Sequence, residues 1–434
     1  MTVTSIDEAK KKKRAAPVGE WTKGLLVTEE GYPRKCLANV LHTLSLHPKW
    51  QGVVAYDAFG ECVVKLIPPP VREQDGPSLP GEWTDADSTR TAAWFASTVG
   101  FEPPTTHVDQ AVAAVAERNV FHPVRDYLQE LAWDDVPRLD GMLVGYFGAE
   151  DSPYTRAIGA KWMIAAVARV MRPGCKADHM LVLESPMQGI GKSTALRILA
   201  SDPWFSDTGI VIGDKDSYQA LRRKWLYEFA ELSSIKGRDV ERVKTFLSSS
   251  SDNYRPSYGR RNKDVPRQVV FAGSTNEDHY LTDPTGGRRF WPVRCRTIDV
   301  DGLRRDRDQL WAEAKRRYDD GATWHLETAD LCASAAAVQE DRSERDDWID
   351  IVERWLKAPS VPSGEKAREP LDPSDGYTTA EVLLGALDFA PDRISMQATK
   401  RVGHVLRDLG YEPRRPRGES RARRYFPSGP CGPG

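Results

Sequence analysis

The sequence predicts an α/β core built on a mostly parallel sheet, preceded by a mainly α-helical N-terminal region and followed by a small C-terminal winged-helix-like domain. Three observations lead there. Between His179 and about Val300, short strand-like runs alternate with helix-patterned ones: Met180–Leu183, Ser193–Leu199, Leu226–Ala230, Val240–Leu247 and Gln268–Gly273. From about Asp85 to Arg172 the apolar spacing is helical, over Ala92–Val99, Val108–Arg118, Val124–Leu131 and Tyr154–Met171, with turn signals such as Val136-Pro137 between them. Beyond Tyr377 come two short helices, ending near Leu387 and Leu409, then a Gly410-Tyr411 turn and a basic ribbon closing on Tyr425-Phe426.

Length and composition set the frame for these elements. A chain of 434 residues with 40% hydrophobic content is long enough for several cores. Residues 1–17 hold Lys11-Lys12-Lys13-Arg14 in a polar context and read as a disordered basic arm. A small α+β unit follows at 18–70, with Leu37, Val40, Leu41 and Leu44 at helical spacing and Val53, Val54 and Tyr56 as a short strand; it closes at Pro68-Pro69-Pro70. The helical domain spans 71–175, the α/β core 176–330 and a helical extension 331–357. Residues 358–376, rich in Pro, Ser, Gly and charge, read as a linker, and 377–434 form the winged-helix-like module with its basic tail.

Charge and composition exclude several function classes. Lys+Arg 61 against Asp+Glu 63 gives a formal net charge of −2, so any nucleic-acid surface has to be local. No run of 18 apolar residues occurs and the mean hydropathy is −0.53, which excludes a membrane-spanning helix and points to the cytoplasm. The six cysteines include no CxxC pair, which argues against a zinc ribbon and a disulfide framework.

The core's chemistry starts at Met180–Thr194, where an apolar run, a glycine loop and a helix opening at Gly191-Lys192-Ser193-Thr194 form the strand–loop–helix context of a P-loop. Amides across Gln188, Gly189, Ile190, Gly191, Lys192, Ser193 and Thr194 suit the phosphates of ATP at a helix N-terminus. Lys192 would reach the β- and γ-phosphates, and the Ser193 hydroxyl would ligate Mg²⁺. The first position of the GxxxxGK[ST] pattern is Pro186 rather than glycine, while the phosphate-facing end of the pattern is intact.

Such a loop needs a carboxylate on a neighbouring strand. Trp225–Glu231 supplies Glu228 and Glu231, which strand alternation places on opposite faces. Glu231, at the strand's C-terminal end, is the stronger candidate for metal or water activation. Glu228 is a second metal candidate, or else an ion-pair partner for a covering helix. The run Gln268–Gly273 ends in Ser274-Thr275-Asn276, and Asn276 fits the sensor position of additional-strand, AAA+-like P-loop ATPases, or a plain Asn turn. Arg288 and Arg289, between a glycine turn and Phe290-Trp291-Pro292, have the setting of an arginine finger or of a solvated pair.

Two basic segments suit a phosphate backbone. Tyr254 and Tyr258 interleave with Arg255, Arg260, Arg261 and Lys263 around Gly259, as in a hairpin tip, although Arg255 and Tyr258 would also serve an intersubunit contact or the nucleotide pocket. From Lys400 to Arg424 nine basic residues, among them Lys400, Arg401, Arg414 and Arg415, face three acidic ones, a net of +6.

With these residues in hand, the chain resembles the virulence-associated protein E family of phage and plasmid P-loop ATPases, which are similar to superfamily 3 helicases. The resemblance rests on Phe121–Leu128, Leu131–Leu139, Gln188–Thr194, Glu228–Leu232, Arg255–Gly259 and Gly287–Val293, in that order along the chain. It implies an ATP- and Mg²⁺-dependent DNA helicase or translocase in phage or mobile-element replication, working in a bacterial or phage-infected cytoplasm as a homo-oligomeric, hexameric ring. It also implies that single-stranded or forked DNA is the partner and that the basic hairpin faces the ring's channel. About 180 residues precede the loop without a paired-aspartate polymerase signature, so a primase or polymerase is expected as a separate partner. Other readings are an initiator or loader ATPase without strand separation and a P-loop regulatory or defence ATPase.

Overall fold

The computed structural model describes residues 19–427 except 73, 75, 77, 213, 233–237, 255–261, 278–279, 281–286, 343–346, 364–366 and 415–422. It divides into two compact units, one ending at Arg342 and the other beginning at Ser343.

The first unit opens with α1 (Leu37–Leu46), β1 (Val54–Asp57), β2 (Cys62–Lys65), β3 (Gly81–Glu82), α2 (Asp85–Thr98), α3 (Thr105–Ala116) and β4 (Val120–Phe121). The four strands form one sheet in the order β3-β2-β1-β4. Val40, Leu44 and Trp50 share a core with Trp94, Phe95, Val108 and Val112. The Pro68-Pro69-Pro70 break is therefore not a boundary. A lone β1–β2 hairpin is marginal in water, and the strands and helices beyond the prolines complete its sheet and its core. Lys65 on β2 is ion-paired to the buried Asp87 of α2 across that same segment.

Three helices follow: α4 (Pro123–Glu130), α5 (Met142–Phe147) and α6 (Pro153–Met171). In α6, Ser152 and Thr155 cap the N-terminus reciprocally and Pro153 takes the first turn. The helix is apolar nearly all round and buried against the sheet: Trp162 donates to the Phe271 carbonyl at 2.9 Å, and Trp225 donates to the Ala166 carbonyl at 2.9 Å.

The central elements are β5 (Met180–Glu184), α7 (Lys192–Ala200), β6 (Phe205–Ser206), α8 (Lys215–Ala220), β7 (Leu226–Phe229), α9 (Arg238–Ser248), a hairpin of β8 (Ser251–Tyr254) and β9 (Lys263–Pro266), then β10 (Val270–Thr275), β11 (Phe290–Arg294), α10 (Val300–Asp319) and α11 (Ala329–Asp341). Five strands pair in the order β11-β5-β10-β7-β6, all parallel. A parallel sheet covered on both faces wants continuous apolar strands, and β5 and β7 are buried at every position. The alternating runs expected from sequence are present at their expected places.

The second unit contains α12 (Trp348–Leu356), β12 (Ser360–Ser363), β13 (Ala367–Pro370), α13 (Thr379–Gly385), α14 (Met396–Asp408), β14 (Tyr411–Arg414) and β15 (Arg424–Pro427). The stretch expected as a linker holds an antiparallel hairpin instead. Its Pro and Ser content suits a short, edge-only ladder, and Trp355 of α12 donates to the Ser360 carbonyl at 2.9 Å, so the hairpin packs as part of this unit. The 331–357 extension accordingly divides, α11 with the first unit and α12 with the second. Tyr377 bridges to Tyr425, adding a third segment beside the β14–β15 ribbon. Gly403 of α14 lies under that ribbon, where a Cβ would sit 2.6 Å from the Tyr425 hydroxyl.

Candidate nucleotide site and basic surfaces

The loop between β5 and α7 lies at the C-terminal end of the sheet, where strand ends and helix N-termini meet. Two left-handed positions shape it, Gly189 at φ +75° and Gly191 at φ +96°. Gly191 also packs against α10, since a Cβ there would meet a Val300 methyl at 3.4 Å. The far end of α7 is anchored by the same helix: Arg307 donates to the Ile198 carbonyl at 2.8 Å and Trp311 to the Leu199 carbonyl at 2.8 Å. Unpaired carbonyls at the helix C-terminus are thereby satisfied, and α7 is held by α10 at both of its ends.

A cavity of about 370 Å³ opens over this loop, lined on one side by Gly189, Ile190, Gly191, Lys192, Ser193 and Thr194. Its other wall is Ala230 and Glu231 after β7, with Ser274, Thr275 and Asn276 at the end of β10. Gln188 is exposed just outside it. Lys192 Nζ donates to Asn276 Oδ1 at 2.6 Å, so the ammonium group and the amide occupy one point of the wall. Partial burial lowers the Lys192 pKa from its ordinary value.

Glu228 is 1% exposed, and its Oε1 accepts two hydroxyls, Ser193 Oγ at 2.7 Å and Ser274 Oγ at 2.6 Å. Its Oε2 is buried with no hydrogen-bond partner among the described residues. Burial raises the Glu228 pKa, and the two hydroxyl donors oppose that rise. The alternative of an ion pair with a covering helix is not what the structure holds. Nor do the two carboxylates fall on opposite faces. The strand ends at Phe229, and Glu231 turns back at φ +52° to line the cavity, so the alternation stops short of it. Sequence reasoning passed over Ser274. What finds it is the pairing of β10 with β7 at Ala272↔Glu228, with Ser274 on the face of Ala272, and that pairing is not written in the sequence.

Arg288 and Arg289 are not brought to this cavity. They directly precede β11, whose Phe290 pairs with Met180 at the N-terminal end of β5, whereas the loop follows Glu184 at the other end. The separation is a strand length, on the order of 13 Å. Arg289 Nε donates to Ser248 Oγ at 2.8 Å. Both arginines lie near His179, whose imidazole is pushed down to about 4 by burial first, with their charges adding to the effect.

The β8–β9 ladder brackets the expected basic hairpin. Arg255, Tyr258, Arg260 and Arg261 lie outside the described residues. Lys263 is engaged elsewhere: its Nζ reaches Glu61 Oε2 at 3.1 Å and the Tyr56 hydroxyl at 3.2 Å, fastening the hairpin's root to the β1–β2 turn. In the second unit Lys400 is exposed on α14, and Arg401 lies 3.9 Å over the Trp348 ring. Arg414 is exposed on β14, and Arg424 pairs with Glu381 at 3.1 Å inside the unit. Arg415 and the 1–17 arm lie outside the described residues. No helix of the described residues is long and apolar enough to cross a membrane.

Among solved structures, the chain is similar to the apo C-terminal region of NrS-1, at 11% identity over 86% of this chain and 95% of that one, with a TM-score of 0.43. Two A-form apo structures of the same region match at 10% identity, with 87% and 96% covered and a TM-score of 0.42, and at 11% identity, with 69% and 74% covered and a TM-score of 0.41. No curated protein matches. The sequence model of the virulence-associated protein E-like domain matches residues 128–344, half of the 434-residue chain, and takes in α5 to α11, the loop, Glu228, Ser274 and Asn276. The chain belongs to the virulence-associated protein E-like domain family.

Proposed function

We propose that the chain is an ATP-hydrolysing, AAA+-like P-loop motor that acts on DNA in phage or mobile-element replication and unwinds or translocates as a homo-oligomeric ring. The observation that carries this reading is the convergence of the Ser193 hydroxyl and the Glu228 carboxylate at 2.7 Å beside a cavity of about 370 Å³. Strand order supports it as well. The strand that leads into Asn276 is inserted between the strand carrying the loop and the strand carrying Glu228, the arrangement of an additional-strand ATPase.

The residues present fit Mg²⁺ with a nucleotide. The buried Glu228 Oε2, without a partner among the described residues, is an acceptor in want of a cation or its water, and the left-handed glycines leave the loop's backbone open. Ser193 and Glu228 would hold the metal, which when bound neutralises phosphate charge as it develops. Because Ser193 gives its proton to Glu228, its oxygen lone pairs stay free for a ligand. Lys192 binds the phosphates and Asn276 orients the lysine beside the terminal one. Glu231, across the cavity, positions water for attack.

Arg288 and Arg289 lie at the opposite end of the sheet, so they reach a nucleotide only from a neighbouring copy. A head-to-tail contact of that kind makes a ring when its rotation closes, as the proposed assembly requires. The family resemblance supports DNA as the partner, with the β8–β9 hairpin and the basic face of the second unit as contacts. Strand displacement on forked DNA tests the motor: ATP-dependent release of the labelled strand is expected. DNA-stimulated hydrolysis without release would favour the initiator or loader reading, and hydrolysis indifferent to DNA would favour a regulatory ATPase.

A further inference from the structure

The geometry points to Ser274 as a positioning residue for the metal: it fixes the Glu228 carboxylate so that one oxygen is saturated and the other is kept for Mg²⁺ or its water. This rests on the reading of the cavity as a nucleotide–metal site and goes one residue beyond it. Three observations carry it. First, Glu228 Oε1 already accepts from Ser193 at 2.7 Å, and the second hydroxyl, Ser274 at 2.6 Å, comes from a different strand. Two donors converging on one oxygen from two directions restrict rotation about the terminal carboxylate torsion, which is otherwise broad. Second, Oε2 is buried and has no hydrogen-bond partner among the described residues. A buried carboxylate oxygen without a donor is costly, and native folds keep such groups where a ligand completes them. Third, Ser274 is itself 7% exposed at the end of β10 while also lining the cavity, so its hydroxyl is held in place by the sheet.

The division of labour follows from what each group can offer. Ser193 has one proton, spent on Glu228, and lone pairs left for the metal. Ser274 spends its proton on the same oxygen and fixes the carboxylate that Ser193 leans on. With Ser274 absent, Glu228 keeps the Ser193 donor but gains rotational freedom, and Oε1 has an open acceptor site that competes with Oε2 for the cation. Orienting partners of this kind typically change metal affinity by about 10–100-fold. The lysine, the glycine amides and Asn276 do not depend on Ser274, so nucleotide affinity without metal should be untouched.

The test uses the full chain and a fluorescent, non-hydrolysable ATP analogue, titrated in EDTA and then with increasing Mg²⁺. In Ser274→Ala the Mg²⁺ concentration for half-maximal tight binding is expected to rise about 10-fold or more. The EDTA affinity and the melting temperature of the free protein should stay near wild type, and Ser274→Thr should restore the Mg²⁺ dependence. An unchanged Mg²⁺ midpoint in Ser274→Ala overturns the proposal while leaving the site reading intact. Parallel loss of EDTA binding and melting temperature also overturns it, by making Ser274 a packing residue. Wild-type protein that binds the analogue with no response to Mg²⁺, or does not bind it at all, removes the site reading itself.

Discussion

Glu228 and Glu231 are three positions apart and have different surroundings, so their replacement should have different effects. Glu228 is buried and held by two hydroxyls, whereas Glu231 is exposed on a left-handed turn across the cavity. Replacing Glu228 with Gln is expected to weaken Mg²⁺-dependent nucleotide binding and turnover together. Replacing Glu231 with Gln should leave nucleotide affinity within about threefold and reduce turnover by about 100-fold or more, the range of a lost general base. Binding isotherms beside steady-state rates check both, and equal loss of binding in Glu231→Gln would make that residue structural. The residue types of this site were legible in the sequence, since Gly-Lys-Ser, a carboxylate strand and an Asn-terminated strand each announce a job. Their weighting was not. Where β7 ends, at Phe229, decides which carboxylate meets Ser193, and a two-residue shift in a strand end lies below what an apolar run specifies.

Among the elements, the sheet sets which groups one copy can assemble. Parallel register places Met180 beside Phe290, so Arg288 and Arg289 emerge at the N-terminal end of the strands while the loop emerges at the C-terminal end. A mixture of two inactive proteins, Lys192→Ala and the double change Arg288→Ala with Arg289→Ala, should therefore regain hydrolysis. In random equimolar rings about a quarter of the interfaces pair an intact loop with an intact finger. No recovery at any ratio, with mixed assembly verified by pull-down, would argue that the arginines serve the hairpin end of their own subunit. Of the five strands, β5, β7 and β10 were readable because a sheet covered on both faces demands unbroken apolar runs, whereas β6, two residues long, and β11, interrupted by Pro292, were not. Strand order was not readable, because it depends on which neighbours pair after the chain has turned back through helices.

At the scale of the whole chain there are two compact units, the first holding the cavity and the second the exposed Lys400 and Arg414. Sequence composition drew the second boundary too late. The Pro- and Ser-rich stretch it marked as a linker carries the β12–β13 hairpin, and the first unit ends earlier along the chain, at Arg342. Prolines misled in the same way at Pro68–Pro70, where the sheet continues past them. A chain ending at Arg342 should keep basal ATP hydrolysis within about twofold, since Arg342 retains its pairing with Glu184 at the end of β5. Its DNA affinity should fall, and the slope of log affinity against log salt should flatten by roughly 2–4, the loss of three to five phosphate contacts. Identical slopes for the full and shortened chains would remove DNA from the second unit's role.

ATP binding and hydrolysis in the cavity over Gly189–Thr194, in service of DNA, is the proposal on which the others depend. The most direct measurement is the rate of ATP hydrolysis by the wild-type chain and by Lys192→Ala, with and without single-stranded DNA, on proteins shown to melt at the same temperature. DNA-stimulated hydrolysis is expected of the wild type, with a fall of two or more orders of magnitude on loss of the Lys192 ammonium group, about 3 kcal/mol of transition-state stabilisation. A wild-type chain that hydrolyses no ATP under either condition, or a Lys192→Ala protein as fast as wild type, would contradict it.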